Sequence, residues 1–228
     1  WDPRAGRFQV LDRDPLTGGP VRAVAAFVAP AHTQLASAAW VRSGEAPLLP
    51  LFAYTAAGWQ EEGFVAASLR VDPDPRQDIG GFDPAEVARR TRERLRAEPG
   101  NRLLQHLGRC SLNYGCPAAR NLFLGRWEAP LPTSPTCNAR CLGCISLQEL
   151  SGVCATQDRI TFVPTVEEVC GVAVPHLRKA SRAAASSGQG CEGGTTHRPV
   201  TNRPSGPSLG DHLGNPLSGR PIERELMP

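Results

Sequence analysis

The chain has 228 residues, 40% of them hydrophobic, and its 25 basic and 22 acidic side chains leave a net charge of +3. So small a charge gives no broad pull toward nucleic acid or a membrane surface. No apolar run reaches the roughly 18 residues that a membrane-spanning helix needs. The chain opens on Trp1 rather than Met, which predicts a missing or processed N-terminus, and nothing else in it reads as secreted.

The first segment, to about Asp78, predicts strands and turns. Val21–Val28, Leu48–Thr55 and Phe64–Val71 are apolar runs closed by Pro or Gly. The simplest arrangement pairs 51–55 with 64–69 as an antiparallel hairpin, turning through Ala57-Gly58 and Glu61-Glu62-Gly63. Trp40 and Trp59 read as core or sheet-face aromatics. A helix is then marked by Asp83 as N-cap, Pro84 in the first helical position and Glu86 three residues past the cap, and is predicted over 84–97. Glu98-Pro99-Gly100 ends it. Its arginines, Arg89, Arg90, Arg92, Arg94 and Arg96, read as a solvated face with Glu86 and Glu93 as counter-charges, the alternative being a phosphate-binding face. A short second helix is predicted over 101–107, with Leu103, Leu104 and Leu107 on one side.

From Cys110 onward the pattern changes. Pro130-Leu131-Pro132 is extended and leads into Cys137, and Ile160–Val163 is a short strand-like run. A third helix is predicted from Thr165 as N-cap, with Glu168 completing a capping box, to Lys179. Pro175 marks an end or kink there, and His176 reads as a helix-end residue. Cys170 lies on the apolar stripe of that helix with Val166, Val169, Ala173 and Leu177, as a small buried hydrophobe. An Ala/Ser run and then SGQGCEGG follow. Residues 195–228, rich in Pro, Gly, Ser and Arg, predict disorder, because they cannot bury enough surface to offset chain entropy.

The eight cysteines are unevenly placed. The first 109 residues hold none, and five fall between Cys110 and Cys144. Disulfide staples would spread through the loops of a small secreted fold, whereas clustered thiols in a chain of this size predict metal binding in a reducing, cytoplasmic setting. Three of them, Cys137, Cys141 and Cys144, lie within PTCNARCLGCISLQ. At spacings of four and three on an ideal helix they would form a row, a poor shape for enclosing one ion or cluster. A loop with Gly143 in it can wrap instead. Thiolates are the ligands of iron–sulfur clusters and a full protein cage uses four, so three leave one iron open.

The C-x3-C-x2-C spacing resembles the signature of the radical S-adenosylmethionine (radical SAM) superfamily. The wider stretch NYGCPAARNLFLGRWEAPLPTSPTCNARCLGCISLQ looks like an uncharacterised bacterial branch of it. The resemblance implies that Cys137, Cys141 and Cys144 hold a 4Fe–4S cluster whose fourth iron binds the amino and carboxylate groups of S-adenosylmethionine. It implies that reductive cleavage of S-adenosylmethionine generates a 5′-deoxyadenosyl radical that abstracts hydrogen from a substrate. The cofactors are then the cluster and S-adenosylmethionine, and an electron donor such as flavodoxin or ferredoxin is the implied partner. The glycine-rich stretch with Gly190, Cys191, Glu192 and Gly193 stands where the family has a segment that contacts the methionine amino group, the alternative being a plain glycine turn. The residue before the third cysteine, usually aromatic in the family, is Gly143 here. The C-x5-C pair Cys110 and Cys116 is not part of the family pattern; it reads as reduced thiols or as ligands of a second metal.

The implied fold is α/β: an N-terminal α+β region over 1–109, the first units of a partial (β/α) barrel over 110–194, and a disordered or out-of-family tail over 195–228. Only 84 residues follow Cys144, whereas six β/α units need about 200 by analogy with the full eight-fold barrel. The reading is therefore of a fragment or an altered C-terminal end, switching near Gly194. The substrate is not legible in the sequence. The competing function is a structural zinc module without catalysis, in which Cys154 joins Cys137, Cys141 and Cys144 to close a four-thiolate site.

Overall fold

The computed structural model describes residues 5–7, 9–10, 12–35, 41–42, 44–137, 141, 143–148 and 152–187. Trp40 and the segment 195–228 lie outside them. The described residues form a mixed α/β protein with small sheets and four α-helices. The chain divides into two compact units, one comprising residues 1–81 and 148–156 and the other 82–147 and 157–228.

The first unit is built from short antiparallel strands. β1 (Ala25–Phe27), β2 (His32–Gln34), β3 (Tyr54–Gln60), β4 (Gly63–Ala66) and β5 (Ser68–Arg70) make a three-stranded sheet in the order β1-β3-β4 and a separate β2-β5 pair. A hairpin forms here, but not the predicted pairing of 51–55 with 64–69: Tyr54–Ala56 pair with β1, and Gly63–Ala66 pair with Ala57–Gln60. Ala57 and Gly58 are absorbed into β3 opposite Ala66 and Val65, and only Glu61 and Glu62 remain to turn the chain. The aromatic pair Trp59 and Phe64 sits in register across the strands, with ring centroids 4.8 Å apart and planes nearly perpendicular. That cross-strand contact favours the longer ladder over a turn at Gly58. Trp59 is a sheet-face aromatic, as its sequence context suggests.

The second unit is helical and encloses a core. Asp83 accepts hydrogen bonds from the Ala85 and Glu86 backbone N–H groups and opens α1 (Pro84–Ala97). Asn101 caps α2 (Arg102–Leu112), which continues past the predicted end at Leu107. It passes through Gly108, where an added Cβ would lie 2.6 Å from Leu95 Cδ1, so the missing side chain lets α1 and α2 approach closely. Thr91 and Ser111 join the same two helices by a buried hydroxyl pair at 3.1 Å. A further helix, α3 (Pro117–Leu124), was not predicted. It begins on Pro117 and closes on Gly125 at φ +66°, a conformation glycine adopts without strain.

β6 (Glu128–Pro130) follows α3, and α4 (Val166–Lys179) carries the capping box expected of Thr165 and Glu168. The strand-like run at Ile160–Val163 is not a strand; Ile160 is buried in the core without strand pairing. Pro175 neither ends α4 nor leaves its carbonyl partner bare. Proline has no N–H to give the Gly171 carbonyl one turn back, and Arg94 Nη2 donates to that oxygen at 3.0 Å. His176 is buried in the last turn, its Nε2 3.2 Å from the Trp127 carbonyl. β7 (Ala184–Ser186) then lies parallel to β6, completing a β-α-β unit. Leu103, Leu104, Leu107, Leu122, Phe123, Ala129, Ile160, Val172 and Ala173 form one buried cluster uniting α2, α3, α4 and β6. Each large side chain sequestered this way contributes about 1.5–3 kcal/mol.

Candidate metal centre

The three-cysteine segment hangs from the end of β6. Pro130 and Pro132 are fully buried and Leu131 N–H donates to the Ser186 carbonyl at 2.7 Å, so the chain leaves the parallel pair in a fixed, extended direction. Ser134 Oγ then accepts from Thr136 N–H at 3.1 Å and bends the chain into Cys137. Cys137 is half-buried, Cys141 exposed and Cys144 half-buried. Cys144 N–H donates to the Cys141 carbonyl at 3.2 Å, a tight turn across Gly143.

The surroundings of Cys144 are charged and polar. Its Sγ accepts from Arg159 Nη2 at 3.3 Å and lies 3.8 Å from Ser146 Oγ, while Arg159 Nε donates to the same Ser146 oxygen at 3.2 Å. Burial opposes ionisation of the thiol. The Ser146 backbone N–H and hydroxyl, the Leu147 backbone N–H and the Arg159 guanidinium outweigh it and hold Cys144 below the usual thiol range. A thiolate is the form that binds metal. By contrast, burial pushes the Cys170 thiol up, in keeping with its place on the buried side of α4.

Among the described groups near the loop, Cys144 is a thiol drawn toward its anion. The three sulfurs are not gathered: among the described residues no three His, Cys, Asp or Glu side chains stand close enough to hold one ion. Binding three corners of a cluster requires the 137–144 loop to close around it. Residues 138–140 and 142 lie outside the described set, as do Gly190, Cys191, Glu192 and Gly193. The last of the described strands, β7, ends at Ser186, just before that glycine-rich stretch. Cys154, exposed, belongs to the segment grouped with the first unit.

Neither Cys110 nor Cys116 is in a disulfide among the described residues. Cys110 is fully buried with its Sγ 3.7 Å from His106 Nε2, and Cys116 N–H donates to the Cys110 carbonyl at 3.0 Å. Of the α1 arginines, Arg89 pairs with Glu86 and Glu93, Arg90 with Glu86 and the Leu124 carbonyl, and Arg94 with Glu98 and the Gly171 carbonyl. These guanidiniums serve helix-surface pairing and packing rather than an open anion face.

Sequence reasoning missed Arg159 and Ser146. Arg159 is 15 residues beyond Cys144, in no spacing that a motif would single out. The segment carrying it is anchored on both sides. Tyr114, just past the end of α2, hydrogen-bonds Asp158; that bond, with burial, pushes the phenol up. Ile160 is locked into the core. Comparison with models of protein families, with curated proteins and with solved structures finds no match to this chain.

Proposed function

We propose that the chain is a radical SAM enzyme, or the N-terminal part of one, acting in the cytoplasm. The observation that carries the reading is the position of C-x3-C-x2-C: it lies on the connection leaving β6, between the two parallel strands of a β-α-β unit. Open α/β folds place their sites in loops at the carboxyl ends of parallel strands. β6, α4 and β7 are then the first repeat of a partial (β/α) barrel.

In this reading Cys137, Cys141 and Cys144 hold three irons, and the turn at Gly143 gives the loop freedom to close. When bound, the 4Fe–4S cluster supplies one-electron reduction of S-adenosylmethionine at its open iron. The stretch Gly190–Gly193, which follows β7 in the chain, is assigned to the methionine end of that cofactor. Gly143 contributes no aromatic surface, so adenine contacts come from elsewhere in the chain. An electron donor such as flavodoxin or ferredoxin completes the system, and the substrate is set by segments beyond the cysteine loop.

Metal analysis of anaerobically purified protein tests the reading. Iron with matching acid-labile sulfide, and release of 5′-deoxyadenosine from S-adenosylmethionine under a strong reductant, is the expected result. One zinc per chain and no iron overturns it in favour of the structural zinc module.

A further inference from the structure

Cys110 and Cys116, which the candidate metal centre does not use, stand on either side of the turn between α2 and α3. Cys110 lies in the last turn of α2 and is fully buried; Cys116 is the N-cap of α3 and half-buried. Contacts other than sulfur close the turn. Cys116 N–H donates to the Cys110 carbonyl at 3.0 Å, Arg120 Nε donates to the Ser111 carbonyl at 3.4 Å, and Gly115 sits at φ +66°. A backbone bond of that length, with ordinary covalent geometry on both sides, holds the two Cα atoms within about 7 Å, the limit a disulfide can bridge. The side chains share one cluster: Cys110 and Ala119 are buried together, and Cys116 and Tyr114 pack against them.

We propose that Cys110 and Cys116 form an intramolecular disulfide by exchange with a small-molecule disulfide, stapling the end of α2 to the start of α3. Cys116, the sulfur nearer solvent, reacts first. It attacks one sulfur of the incoming R–S–S–R, a mixed disulfide forms, and the other half leaves with the Cys116 proton as RSH. Cys110 Sγ then attacks the Cys116 sulfur, the bond to R breaks, and a second RSH departs. His106 Nε2, 3.7 Å from Cys110 Sγ, is placed to pass the buried thiol's proton to that leaving group. Two protein thiols are oxidised and one external disulfide is reduced to two thiols, so the exchange balances. In a reducing setting such a bridge is transient and redox-sensing. The proposal is independent of the iron–sulfur reading, which uses other cysteines.

The test treats the purified full chain with oxidised glutathione, then unfolds it in iodoacetamide and digests it with trypsin. Cleavage after Arg109 and Arg120 releases CSLNYGCPAAR, which holds both cysteines and no other. The bridge is therefore read by mass spectrometry as a peptide lighter by the two thiol hydrogens that takes no label. Wild type is expected to give chiefly this species. Cys110→Ala is expected to stop at the mixed disulfide on Cys116, and Cys116→Ala to leave Cys110 as a thiol that labels only after unfolding. Oxidation is expected to raise the urea midpoint of wild type more than that of Cys116→Ala, because a cross-link restricts the unfolded chain. A wild-type peptide labelled at both cysteines, carrying glutathione, or joined to another peptide overturns the inference. So does a bridge that lowers the midpoint, since it then distorts the native turn. None of these outcomes bears on whether Cys137, Cys141 and Cys144 hold iron.

Discussion

The two units use aromatic and aliphatic residues in opposite ways. In the first, the described strands leave large side chains in solvent: Phe27 is 62% exposed, Trp59 63% and Phe64 80%. Among its described residues only Thr55 is buried, its hydroxyl donating to the Ala67 carbonyl. In the second, α2 alone buries Leu103, Leu104 and Leu107 completely, and α3, α4 and β6 close over them. The second unit can therefore hold its shape through its own core, and that is the unit that carries the cysteine loop. If the loop closes on a cluster as proposed, it does so from a rigid base: β6 is fixed to this core, and Ile160 beside Arg159 is buried in it.

Substitutions can break that contrast. Leu107→Ala is expected to cost about 2–5 kcal/mol, because Leu107 is fully enclosed and its loss leaves a cavity in the core; urea unfolding of the intact chain measures it. Arg94→Ala comes next, at about 1–3 kcal/mol, since it strands the Gly171 carbonyl that Pro175 cannot serve. The same substitution made on a Pro175→Ala background is expected to cost less, because alanine at that position restores the missing N–H donor. Equal costs in the two backgrounds would show that Arg94 does not act through that oxygen.

Glu168 sharpens the comparison through pH. It pairs with Arg102 while capping α4, and the Arg102 guanidinium holds its carboxyl down from 4.5 to about 2. A depressed carboxyl means that the unfolded chain binds the proton more readily, so stability rises with pH across this window. The contribution is complete above about pH 4.5 and drains away as pH falls toward 2. Glu168→Gln is expected to flatten the urea-midpoint profile in that window and to cost about 1 kcal/mol above it, a modest figure because Arg102 is half exposed. The smallest effect belongs to the first unit: Phe64→Ser removes only an exposed cross-strand contact with Trp59, worth less than about 1 kcal/mol by the same urea measurement.

The parts legible in the sequence were those with local chemistry. α1 and α4 were visible because Asp83-Pro84 and Thr165…Glu168 are capping patterns whose physics lies within one helical turn. α2 was cut short at Leu107 because glycine normally disfavours a helix, and only the neighbouring Leu95 explains why Gly108 is tolerated. α3 carried its start and stop signals, Pro117 and Gly125, but eight residues show too little periodicity to announce a helix. The parallel pairing of β6 with β7 joins residues far apart in the chain, and the Ala-Ala-Ser of β7 has no strand propensity to advertise it. At the candidate centre the thiols were legible from spacing alone. Arg159 was not, because its relation to Cys144 is created by Tyr114 and by the core.

The central claim is that three cysteines, and not four, hold iron. Cys137→Ala, Cys141→Ala, Cys144→Ala and Cys154→Ala, each reconstituted anaerobically and assayed for iron, sulfide and visible colour, test it most directly. Each of the first three is predicted to lose the brown cluster, and Cys154→Ala to keep it in full. A colourless Cys154→Ala, or an intact cluster in all of the first three, would contradict the claim.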